Sequence, residues 1–186
     1  VKGRMEGLPQ PRLALENVST ALTAVEALGL PVNETACRSG ILQAAVAGRL
    51  ERLVLHGVEI VLDVAHNAHG AAFFMQQLPP AAGRVRAVFA MLADKDAGAT
   101  LDACLGRVDV WYPAALPVAR GQSGDALLPL FIARGMCVEG VFPHVGGALA
   151  SALRASHPDD RILVFGSFYT VSAAREWLEK HHGYSY

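Results

Sequence analysis

The sequence predicts a doubly wound α/β domain, and three observations carry that reading. From about residue 51 onward, strand-like and helix-like segments alternate with short connections between them. Strand candidates such as "ILVFG" and "AVFAML" are continuous apolar runs, which suits strands covered by helices on both faces. The polar, chemistry-bearing residues cluster where those strands end, which is where parallel sheets bind ligands.

Taken in order, the first 50 residues read as two helices. "ENVSTALTAVEALGL" places Val18, Leu22, Val25 and Leu28 at helical spacing, with Gly29 as a stop. "NETACRSGILQAAVAG" follows, with Asn33 as its N-cap and Gly48 as its stop. "RLVLHGVEIVLDV" reads as a hairpin turning at His56-Gly57, or as two short strands. "HGAAFFMQQL" reads as a helix, "VRAVFAML" as a buried strand, and "AGATLDACLG" as a helix. "VDVWYPA" and "CVEGVF" read as strands on either side of the helix "GDALLPLFIARG". "GGALASALRAS", "RILVFG" and "TVSAAREWLEKH" complete the pattern as helix, strand and helix. The expected sheet is parallel, with room for one antiparallel edge strand from the first hairpin.

Composition narrows the function. Apolar residues make up 52% of the 186, which argues against disorder. The net charge is −1 and the basic residues are scattered, so no nucleic-acid footprint is expected. Cys37, Cys104 and Cys137 are widely spaced and form no CxxC pair, as expected of reduced thiols in a cytoplasmic protein. No apolar run reaches the roughly 18–20 residues of a membrane span, and the polar opening "VKGRMEGLPQPR" is unlike a signal peptide. The chain opens on Val, which suggests a processed product or a fragment. There is no GxGxxG after a strand, no GxxxxGK[ST] and no GxSxG, so dehydrogenase, P-loop and hydrolase signatures are all missing.

At the strand ends stand Asp63, His66, Asn67 and His69, then Asp94, Lys95 and Asp96, then Arg120, His144, and finally Ser167, Tyr169 and Thr170. Each also has a plain structural use. Asp63 can bond nearby backbone N–H groups. His66 or Asn67 can cap the following helix, as can Ser167 or Thr170. Lys95 can be a solvated loop charge.

Three of these segments carry a resemblance. "LDVAHNAHGA", "VFAMLADKDA" and "ILVFGSFYTV", in this order and spacing, resemble the C-terminal domain of the bacterial folylpolyglutamate synthase/dihydrofolate synthase family, within the ATP-dependent Mur ligase superfamily. "ENVSTALTAVEALGLP" and "AAVAGRLE" resemble the end of that family's central ATPase domain. The resemblance implies a remnant of that domain over residues 1–50. Over 51–186 it implies a Rossmann-like α/β domain, mostly parallel, with helices on both faces. It also implies the reaction: ATP converts a pteroate or folate carboxylate to an acyl phosphate, and the amine of L-glutamate displaces phosphate.

By position, Asn17 resembles the residue that contacts adenine, Arg49 the arginine that reaches the nucleotide phosphates, and Asp63 the aspartate at the nucleotide. His66 resembles the histidine near the acyl phosphate and incoming glutamate, and Ser167 the serine that helps hold glutamate. Lys95 lies in a family motif and joins the candidate catalytic set. The implied cofactors are ATP and Mg2+, with the P-loop and metal ligands in a region preceding these residues, so that this chain would be inactive alone. The implied partners are L-glutamate and folate or dihydropteroate, with no nucleic acid and no membrane, in a monomer. The family usually has Pro, His and Pro where this chain has Ala68, Tyr169 and Ala47, and Gly-Met where it has Ala90-Met91. A Mur-type ligase acting on UDP-sugar peptides and a non-catalytic α/β binding module remain alternatives.

Overall fold

The computed structural model describes residues 5–11, 13, 15–44 and 46–184. The chain divides into two compact units, residues 1–49 and 50–186. In the first unit, α1 (Leu15–Ala27) and α2 (Glu34–Gln43) are joined through Gly29, whose φ of 62° is the left-handed conformation that ends a helix at low cost. Asn33 caps α2 as expected, its Oδ1 accepting from Ala36 N at 2.8 Å. Gly48 does not close that helix. α2 stops at Gln43, where Ala44 turns extended, and Gly48 belongs to a separate turn with φ 74°.

The second unit holds a five-stranded sheet in the order β1-β2-β5-β3-β4. The strands are β1 (Glu51–Leu55), β2 (Val58–Asp63), β3 (Val85–Phe89), β4 (Val110–Pro113) and β5 (Arg161–Phe165). β1 and β2 form the antiparallel hairpin, closed by His56 and Gly57 with φ 52° and 82°. Positive φ at both turn residues is the geometry whose twist matches paired strands. The other four strands are parallel. "CVEGVF" is not a strand. It makes two isolated parallel bridges, Trp111 to Val138 and Ala114 to Phe142, because Gly140 interrupts it between them.

Helices cover both faces. α6 (Val145–Arg154) and α7 (Phe168–His182) pack on Ile60, Leu62, Val88, Ile162 and Val164. α3 (Ala68–Gln76), α4 (Ala97–Asp102) and α5 (Gly124–Ile132) pack on the opposite face. There Phe74, Phe89, Trp111, Phe131 and Phe165 form one aromatic cluster with ring centroids 5.2–6.2 Å apart. β5, buried at every position, is the central strand that both faces share.

The two ends of the sheet differ. At the amino ends of the parallel strands, Arg86 and Asp160 form a buried ion pair at 2.5 Å. Asp160 also accepts from Arg84 N at 2.7 Å and His157 N at 2.9 Å, while Arg86 donates to Ala155 O. Beside it Glu59 takes both Arg161 and Arg52. The carboxyl ends finish level: Asp63 pairs with Phe165, Phe165 with Phe89, and Phe89 with Pro113.

Burial pushes the Asp160 carboxyl up, but the two backbone N–H groups and the Arg86 charge outweigh it and hold it below the usual carboxylate range. A lowered folded value gives stability that is present above the unfolded value near 3.8 and lost as pH falls through the folded one. Asp160→Asn should therefore lower stability at pH 7 and flatten part of the acid loss. Urea unfolding between pH 7 and 3 measures both, and an unchanged acid slope would refute the assignment.

Candidate functional site

The level strand ends make a shelf, and three loops rise from it. The first follows β2. Asp63, only 4% exposed, accepts from Ala65 N at 2.8 Å and Leu50 N at 2.9 Å. The second bond holds Leu50 at φ 46°, a conformation that costs a non-glycine residue about 1–2 kcal/mol. His66 Nδ1 lies 3.0 Å from Val64 O. A carbonyl only accepts, so this bond puts the proton on Nδ1 and leaves Nε2 as the ring's acceptor. Asn67 caps α3, accepting from Gly70 N at 2.7 Å, and His69 is exposed in its first turn.

The second loop follows β3. Lys95 is half-buried, with Nζ 3.7 Å from Asp94 Oδ2, and the same oxygen lies 3.4 Å from a terminal nitrogen of Arg120. Asp96 is occupied elsewhere, capping α4 through Ala99 N.

The third follows β5. Gly166 has φ 124°, and a Cβ there would collide with the carbonyl oxygen of Ala90. Only glycine lets the chain turn so close to β3. Ser167 then caps α7, its Oγ accepting from Thr170 N at 3.0 Å. Thr170 Oγ1 donates to Ala90 O at 2.6 Å and lies 2.7 Å from Ser167 Oγ. Because the Thr170 proton goes to a carbonyl, Ser167 must donate to Thr170 Oγ1. The Ser167 hydroxyl, 3% exposed, is thus spent on building the helix start.

These loops enclose a cavity of about 200 Å³. His66, Lys95 and Ser167 line it together with Gly166, and Arg120 and Tyr169 stand at its walls. Three of the residues expected from sequence therefore share one pocket. Asp63 lies beneath, bracing the loop that presents His66. His144 lies outside the cavity lining and caps α6, its Nδ1 accepting from Gly147 N at 2.8 Å. In the first unit, Asn17 lines an apolar groove of about 240 Å³ with Val18, Cys37 and Ile41. Arg49 is half-buried in a turn, its N–H donating to Val46 O at 2.9 Å.

Sequence reasoning undervalued Thr170 and Arg120. The first looked like one more cap, and the second sat far along the chain from its strand end. Thr three positions after a Ser cap, in "GSFYT", was the available signal.

Residues 48–168 match the family model described as the Mur ligase, glutamate ligase domain. The chain belongs to this family. Over 179 residues it is 37% identical to the dihydrofolate synthase/folylpolyglutamate synthase of Escherichia coli, covering 95% of this chain and 41% of that one. The Haemophilus influenzae protein of the same name is 29% identical, with 92% and 44% covered. The chain thus spans about two-fifths of the length of these relatives. Among solved structures, a bifunctional folylpolyglutamate synthase/dihydrofolate synthase with Mn, AMPPNP and L-glutamate bound superposes with TM-score 0.83 at 35% identity, covering 96% of this chain and 43% of that one. Escherichia coli FolC in complex with ADP superposes with TM-score 0.80 at 36% identity, over 97% of this chain and 43% of its own.

Two stability predictions follow from the loops. Thr170→Val strips the donor from Ala90 O and the acceptor from Ser167, and should cost about 1–3 kcal/mol in urea unfolding. Loss of protection in the first turn of α7 by hydrogen exchange would localise the effect. Ala68→Pro should stabilise by about 0.4–1 kcal/mol. Ala68 is the first residue of α3, where proline suits the helix, and Asn67 at ψ 169° is already extended as a pre-proline residue must be. A destabilised Ala68→Pro would show that the loop is not held as described.

Proposed function

We propose that this chain is the glutamate-receiving part of an ATP-dependent ligase that adds L-glutamate to dihydropteroate or tetrahydrofolate. The carrying observation is the pocket on the level strand ends, lined by His66, Lys95 and Ser167. Two comparisons support it: the family's glutamate ligase domain, and the likeness to a neighbour with L-glutamate bound.

In this reading the first turn of α7 receives the α-carboxylate. The N–H groups of Phe168 and Tyr169 have no acceptor within the helix, and the helix start favours negative charge. Ser167 acts by fixing that helix start, since its proton goes to Thr170. His66 Nε2 takes a proton from the glutamate ammonium, and the freed amine attacks the carbonyl carbon of the acyl phosphate. The C–N bond forms as the C–O bond to phosphate breaks. Lys95 offers positive charge to the departing phosphate oxygens.

ATP, when bound, supplies the phosphoryl group that activates the acyl substrate. Asn17 is assigned to adenine and Arg49 to phosphate, because an amide and a guanidinium are the chemistry those groups need. Asp63 is assigned to the nucleotide edge, with its backbone bonds holding it there. Among the described residues, no group of three or more His, Cys, Asp or Glu is arranged to hold a metal. Mg2+ is assigned, with the P-loop, to the part of the relatives that this chain does not span. Residues 1–49 are assigned to the end of a central ATPase domain, residues 50–186 to the glutamate domain, and the chain by itself to an inactive part of a cytoplasmic enzyme.

The test is kinetic, in the complete enzyme that carries this chain. His66→Ala should reduce kcat by about 10²–10⁴-fold, while Arg49→Ala should raise the KM for ATP and leave that for glutamate nearly unchanged. Wild-type kinetics in His66→Ala would overturn the assignment.

A further inference from the structure

The glutamate pocket contains a charge that the proposed chemistry does not use. Arg120 lines the cavity together with Ser167, on a loop that follows β4. That loop is stitched to the loop after β3. Ala93 N donates to Arg120 O at 2.7 Å and Gln122 N to Met91 O at 3.1 Å. The Gln122 side chain donates to Leu92 O at 3.1 Å. A Cβ on Gly121 would collide with the carbonyl of Leu116, so the closeness of the turn depends on glycine. The backbone that carries the guanidinium is fixed, although the side chain is 64% exposed.

Stability does not account for this arrangement. An exposed ion pair such as Arg120 with Asp94 contributes little to folding stability. The charge balance points instead to a ligand. Asp94 is one carboxylate facing two cations, Lys95 and Arg120, and both cations line the cavity. The wall is left with positive charge to spare. Arg120 uses one terminal nitrogen toward Asp94, and the rest of its fork suits a planar carboxylate.

We infer that Arg120 is the specificity-determining residue for the side-chain carboxylate of the acidic amino acid. This rests on the reading of the pocket as the glutamate site. L-Glutamate then meets three separate features: the start of α7 for its α-carboxylate, His66 for its amine, and Arg120 for its second carboxylate. An amino acid with a neutral side chain leaves the guanidinium unanswered and gives up that contact.

The experiment uses the complete enzyme and two readouts. In ligation assays Arg120→Ala should raise the KM for L-glutamate at least about 10-fold, lower the preference for L-glutamate over L-glutamine by a similar factor, and leave the KM for ATP within about twofold. Arg120→Lys should recover part of the preference. In NMR titrations with L-glutamate and L-glutamine, Arg120→Ala should weaken glutamate binding selectively. An unchanged glutamate-to-glutamine ratio in Arg120→Ala, by both readouts, overturns the inference while leaving the ligase reading standing. A wild-type enzyme that binds glutamate selectively through Arg120 but does not ligate it overturns the ligase reading and supports the residue assignment.

Discussion

The hydrogen bond from Thr170 Oγ1 to Ala90 O is the contact on which the site depends. It joins the start of α7 to the carboxyl end of β3, and it exists because Gly166 lets the chain pass almost against that carbonyl. Remove either, and the helix start, the Ser167 cap and the pocket wall lose their common anchor. The bond also settles the direction of a small network. Thr170 gives its proton to Ala90, Ser167 gives its proton to Thr170, and the amide of Thr170 answers Ser167. All of these groups are buried, so each unmade bond would cost a full desolvation. Burial and mutual satisfaction make the start of α7 a rigid feature on which an anion site can be built.

The sheet supplies the level base for that feature. Four parallel strands end in register, so loops of different lengths and chemistry rise from one plane. The opposite end is sealed by Arg86, Asp160, Arg161 and Glu59, which pair with one another and with loop carbonyls. Breaking such a buried pair costs about 3–5 kcal/mol. The asymmetry has a functional sense. Charges at the amino ends pair with one another, whereas Lys95 and Arg120 at the carboxyl ends share the Asp94 carboxylate at the rim where the ligand site is proposed.

The sequence made the architecture readable because burial writes a strong pattern. "ILVFG" is buried at every position as β5, and "VRAVFAML" becomes β3 with its extension beneath the site. His56-Gly57 turned the hairpin, and Asn33, Asn67 and Ser167 all proved to be caps. What sequence could not separate was capping from ligand binding, since one Ser or Asn side chain serves either purpose. It misjudged "CVEGVF", whose apolar alternation looks like a strand but whose Gly140 leaves two isolated bridges. It set the end of α2 at Gly48 because a glycine is a good stop, whereas the backbone had already left the helix at Ala44. Arg120 was hard to weigh because its closeness to Lys95 comes from loop stitching between residues 91–93 and 120–122, which no local pattern announces.

The same geometry bears on how an amine would be readied for attack. Free amino acids carry an ammonium at neutral pH, and an ammonium is not a nucleophile. In the pocket it would lie near Lys95 and Arg120, with only Asp94 behind them as counter-charge. Neighbouring cations disfavour the protonated form and lower its pKa. The hydrogen bond of His66 Nδ1 to Val64 O turns Nε2 into an acceptor at the same wall. In the proposed reading the cations at this wall would thus also loosen the proton that the amine must lose, and the imidazole would be oriented to receive it. Carboxylate recognition and amine activation then need no separate machinery. In that reading both would follow from placing two cations, one carboxylate and one hydrogen-bonded histidine around the start of α7.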